Sequence, residues 1–159
     1  MSKPRWQTLI GSSAIAIACA SLASGPSYAA SAVAQEAKVV PVQGTATLRV
    51  VHESGNIHEA EGRAVGTLGG TLRLRIDIES ASRMTASFVD HLHGGTISGS
   101  GSARYTISGA NLKFTGTTNV SHGTGPYAGA SGSGIRLEGL LDRLTKSIKM
   151  TIHGSMQVK

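Results

Sequence analysis

The chain has 159 residues, with 15 Lys and Arg against 9 Asp and Glu, 21 Gly, one Cys and one Trp. Its one local basic cluster, Arg73 with Arg75, is followed at once by Asp77 and Glu79, so the charge lacks the stripe or arm of a nucleic-acid binder and that class is excluded. The length suits a single domain.

Residues 1–30 read as an export signal. Lys3 and Arg5 give a basic start, Thr8 to Ala23 is an uncharged apolar run, and Gly25-Pro26 stops its helical tendency. Ser27-Tyr28-Ala29 then offers small residues at the positions a signal peptidase reads, which predicts cleavage near Ala29 or Ala30 and a periplasmic or extracellular product. The run is too short and too rich in Ala and Ser for the roughly 20 strongly apolar residues of a bilayer span, so no transmembrane segment is expected in the mature chain. The alternative is a lipoprotein attached at Cys19, on a loose lipobox with Ala16 where Leu is usual. Cleavage at residue 30 removes the single Cys and Trp and leaves 13 basic against 9 acidic side chains, a net of +4. A thiol-free exported domain must be held by its core or by subunit contacts.

Residues 31–42 read as an Ala- and Val-rich lead-in stopped by Pro41, and residues 43–159 as the folded domain. Gly44 to Val51 alternates, with Ala46, Leu48 and Val50 on one side and Thr45, Thr47 and Arg49 on the other, a strand with one wet face. His52 to Gly62 reads as a polar connection, with Ile57 available for a short strand. From Thr71 to Ser80, Leu72, Leu74, Ile76 and Ile78 oppose Arg73, Arg75, Asp77 and Glu79. A period of two held over eight residues excludes an amphipathic helix. Alternation recurs through Met84, Ala86 and Phe88, at Tyr105 and Ile107, from Leu112 toward Val120, at Ile135 and Leu137, and from Ile148 to Val158. Short half-buried strands joined by tight polar turns predict an all-β antiparallel meander of seven or eight strands. Closure into a barrel is favoured, because an open sheet would leave two edges to protect. Only Phe88, Tyr105, Phe114 and Tyr127 supply rings to that interior, which leaves room inside.

The stretch HGTGPYAGASGSG, His122 to Gly134, carries a glycine at nearly every second or third place. It lacks GxxxxGK[ST], its glycines have the wrong spacing for a dinucleotide fingerprint, and strand periodicity follows it instead of a helix. It reads as a corner in the sheet. Gly123, Gly125 and Gly129 permit unusual dihedrals, Pro126 fixes one, and Tyr127 supplies a ring to cover bare backbone. Gly132 and Gly134 are expected to share one strand face.

Gly123-Thr124-Gly125-Pro126-Tyr127-Ala128-Gly129-Ala130-Ser131-Gly132 resembles the GTG, aromatic, Ala, Gly signature of the allene oxide cyclase and dirigent barrel superfamily, which includes small exported bacterial proteins. The likeness extends from about Tyr105 to the end and is weak before it; His122 stands where the family more often has Gly. It implies an eight-stranded calycin-like barrel, frequently a homotrimer, with a pocket at one mouth. In the plant members that pocket cyclises an unstable epoxide or steers the coupling of phenoxy radicals, in neither case with a metal or cofactor. Their catalytic residues find no matching motif in this chain, so no catalytic residue is carried over, and fold likeness alone transmits no chemistry.

Two clusters remain as candidates. His91 and His93, at i and i+2, point the same way on a strand and would share a metal if a third ligand came near; otherwise they are solvated histidines before Gly94-Gly95. Arg73, Arg75, Asp77 and Glu79 would bind an anionic or polar ligand if that face lined the barrel, but the aliphatic opposite face suits the core better, so an outward orientation is favoured. Nucleophilic catalysis has no support, since Gly-x-Ser-x-Gly is absent and the mature chain lacks Cys. The expected role is cofactor-free binding of a small apolar molecule, or an envelope-associated structural role. The alternatives are a cyclase or isomerase working in the barrel mouth and a surface interaction module. A retained hydrophobic ligand would favour the binder, an acidic residue inside the barrel the enzyme, and a filled interior with an exposed apolar outer patch the module.

Overall fold

The computed structural model describes residues 36–159. The export signal, its cleavage point and the lipid alternative at Cys19 lie outside the described residues. The described residues form eight strands, β1 (Lys38–Ser54), β2 (Ile57–Gly66), β3 (Gly70–Ser80), β4 (Arg83–Leu92), β5 (Gly95–Ser108), β6 (Asn111–Gly123), β7 (Gly132–Asp142) and β8 (Ser147–Val158). Each pairs antiparallel with the next, and β1 pairs with β8, so the sheet closes into a barrel.

Closure depends on the length of β1. Its first part, Lys38 to Arg49, pairs with β8, while Gly44 to Ser54 pairs with β2. This offset between a strand's two neighbours is the stagger that a closed barrel requires. The boundary expected at residue 43 is therefore corrected. Lys38 to Val42 belong to the wall, and Val42 is buried. Pro41 interrupts nothing, because β1 runs through it in register with Ser155.

The polar stretch from His52 to Gly62 is likewise strand rather than connection, turning only at Gly55-Asn56. Polarity misled because a bulge between Val50 and His52 breaks the alternation, so that Val51 and His52 are both exposed and the apolar inward pattern stops at Val50.

Glycines opposite aromatic side chains shape the wall. Phe88 is paired with Gly99 and Phe114 with Gly139. A Cβ on Gly99 would lie 2.8 Å from the Phe88 ring, and one on Gly139 would lie 2.4 Å from the Phe114 ring. Each ring therefore occupies space that a side chain on the neighbouring strand would fill.

The glycine-rich stretch is a corner, with a single turn of 3-10 helix at Gly125–Tyr127 between β6 and β7. The ring of Tyr127 covers Gly95, whose Cβ would approach it to 3.2 Å. Gly132 and Gly134 do not share a face. A register shift between Thr118 and Val120 makes Ser133 and Gly134 together oppose Asn119, and the Gly134 N–H donates to Asn119 Oδ1 at 3.0 Å. Gly134 has φ of 66°, which this bulge requires and which L side chains rarely adopt.

Candidate functional site

The inward side chains form two apolar clusters and not one. The larger includes Leu48, Leu72, Ile76, Tyr105, Phe114 and Ile148. The smaller gathers Val42, Leu92, Ile97, Val120, Ile135 and Met156 around the end that carries the glycine-rich corner. Phe88 and Ile152 pack against both. Between the clusters lies a cavity of about 100 Å³, lined by residues of each, among them Leu72, Met84, Phe88, Phe114, Leu137 and Ile152. Leu, Ile, Met and Ala side chains make up much of its wall, with the rings of Phe88 and Phe114.

Among the described residues one ionisable side chain, Asp90, lines this cavity. It lies on the inner face of β4 between Phe88 and Leu92, opposite Leu72 on β3 and Ile97 on β5, and is 5% exposed. Its Oδ1 is buried without a hydrogen-bond partner. Burial raises the carboxyl from 3.8 to about 6, and the charge of neighbouring His91 opposes that rise. Space for the carboxyl comes from Gly70 at the start of β3, where a Cβ would stand 2.6 Å from Asp90 Oδ1 and 2.3 Å from the His91 carbonyl oxygen. Leu68, in the β2–β3 turn, also lines the cavity and packs on the smaller cluster. The buried Thr118 adds no free donor, because its hydroxyl donates to the Ser100 carbonyl at 3.1 Å.

Arg73, Arg75, Asp77 and Glu79 stand exposed on the outer face of β3, away from the cavity. Arg73 pairs with Glu61 at 3.0 Å and Arg75 with Glu59 at 3.4 Å, each across the β2–β3 ladder. Exposed pairs of this kind add little stability. His91 is exposed on the outer face of β4, while His93 is exposed in the turn after the strand. Among the described residues no three His, Cys, Asp or Glu side chains group to hold a metal. The opposite end of the barrel carries a third polar group. Lys146, in the β7–β8 turn, pairs with Glu53 on β1, and His58 Nδ1 lies 3.4 Å from the same carboxylate. Hydrogen bonding to Lys146 holds Glu53 below the usual glutamate range.

Asp90 is the residue that motif reading misses. The His-x-His pattern beside it is the more conspicuous motif, yet the alternation of Met84, Ala86 and Phe88 continues to Asp90 and Leu92, and that parity alone places the carboxyl inward.

These features define an all-β, closed eight-stranded antiparallel barrel with an internal apolar cavity that carries one buried carboxyl. No family model, curated protein or solved structure gives a significant match to the chain. No helix among the described residues is long and apolar enough to cross a membrane.

Proposed function

We propose that the mature protein is an exported, cofactor-free barrel that binds a small, mostly apolar molecule in its interior. The supporting observation is the cavity between the two core clusters, a space whose wall is hydrocarbon apart from Asp90 and a few backbone and hydroxyl groups. An apolar cavity of this order stays dry and takes up apolar guests, as a cavity of about 150 Å³ takes up benzene. Export rests on residues 1–30, and the resemblance to the allene oxide cyclase and dirigent barrels, with the homotrimer it implies, is part of the same proposal.

Native mass spectrometry of the mature protein from its exporting host is the test. A reproducible small-molecule mass, on a monomer or a trimer, is the expected result. A barrel that carries none, and whose thermal stability does not respond to xenon or benzene, overturns the reading.

Asp90 favours a second reading, a cofactor-free isomerase or cyclase. A carboxyl raised to about 6 can both give and take a proton near neutral pH. Deuterium exchange into a bound ligand that is lost in Asp90→Asn would select this reading, and a ligand returned unlabelled would sink it.

A further inference from the structure

We propose that the molecule held in the barrel is a compact alkylammonium, an apolar body of about four or five heavy atoms ending in a protonated amine that donates to Asp90 Oδ1. This rests on the reading of the cavity as a binding site and adds the chemistry of the ligand.

Size sets the first limit. If about 150 Å³ suits the six carbons of benzene, about 100 Å³ suits fewer heavy atoms, which excludes a long acyl chain held entirely inside. The wall sets the second. Leu72, Phe88 and Leu137 present hydrocarbon, Thr118 has its hydroxyl engaged, the remaining amide and hydroxyl side chains at the wall stand on outward positions of their strands, and among the described residues no Lys, Arg or His lines the space. The ligand therefore has one polar end, and that end meets Asp90.

The type of polar end follows from what Asp90 lacks. Its Oδ1 is an acceptor without a donor, fixed between Phe88 and Leu92 over the bare α-carbon of Gly70. A carboxylate or phosphate ligand would add a second anion and another acceptor. A hydroxyl supplies one donor and no charge, while an ammonium supplies three donors and the opposite charge. The protein has already desolvated the carboxyl on folding, so an entering cation gains the attraction without that part of the cost.

Isothermal calorimetry on the mature protein near neutral pH, with isobutylamine, isobutanol, isobutyrate and isopentane as probes, tests the assignment. The expected result is isobutylamine binding about tenfold or more tighter than isobutanol or isopentane, with isobutyrate not binding. In Asp90→Asn, amine and isopentane affinities should come to within about twofold of each other. Titration of the wild-type protein with isobutylamine should also move the Asp90 carboxyl carbon resonance in an NMR spectrum, a readout that does not depend on the variant folding. Isobutanol or isopentane binding as tightly as the amine overturns the ammonium assignment while leaving the cavity reading intact, as does an amine preference that survives in Asp90→Asn. Failure of all four probes, isopentane included, removes both.

Discussion

Asp90 ties stability to pH with a sign opposite to that of most carboxylates. Its folded-state value of about 6 lies above the ordinary 3.8, so between them the folded chain holds a proton that the unfolded chain has released. Its contribution is therefore full below about 3.8, falls as pH rises toward about 6 and levels off above that. Asp142, bonded to Thr145 and to the backbone of the β7–β8 turn, and Glu53, bonded to Lys146, are held low and act the other way. Their support is lost as pH falls through their depressed values. Urea midpoints measured across this range should show wild type losing stability relative to Asp90→Asn as pH rises from about 4 to about 7, and parallel curves would contradict the burial of the charge. Gly70 offers a steric counterpart. Gly70→Ala forces a Cβ against the His91 carbonyl and the Asp90 carboxyl and should cost about 2–3 kcal/mol. Gly55→Ala, where φ is 58° and nothing lies within 4 Å, should cost about 1 kcal/mol, from the left-handed backbone alone. Urea denaturation of the two variants separates crowding from dihedral strain.

At the level of elements, the first strand carries most of what period-two reading left out. Removing the chain through Val42 deletes the pairing of Lys38–Val42 with Gly154–Val158, takes a buried Val from the smaller cluster and exposes the end of β8 as an edge. A protein starting at Gln43 should unfold at lower urea and associate on size-exclusion chromatography, and a monomer with an unchanged midpoint would contradict the pairing. The alternation of Thr71 to Ser80 was legible because all its apolar residues face one core. Where a bulge resets the phase, as at Val51 or at Ser133-Gly134, the same rule assigns the wrong face or no strand. The corner at Gly123 to Gly129 could be placed from its glycines and proline, but not the shift that follows it, since the bulge is fixed by Asn119 on another strand.

On the scale of the whole barrel, the cavity is what remains when eight walls of modest side chains surround a common axis. Filling it provides a direct test. Ala86→Leu, from the cavity wall on β4, should stabilise the fold by about 0.5–2 kcal/mol in thermal or urea unfolding and abolish uptake of apolar probes. Undiminished binding in that variant would place the ligand elsewhere. Resistance to the large side chain, seen as destabilisation, would mean that the surrounding strands cannot yield.

The sequence by itself determined the fold class, the inward residues of the well-patterned strands and the corner at the glycine-rich stretch. Each depends on neighbours along one strand, where a period of two or a forced dihedral is written locally. Only the tertiary structure decided that there are eight strands, that β1 begins at Lys38 and closes on β8, and that Asp90 stands unpartnered beside a cavity. Closure joins residues far apart in the chain. The environment of Asp90 is likewise set by Leu72, Ile97 and Gly70 on neighbouring strands, and a local pattern tells which way a side chain points without telling what it meets.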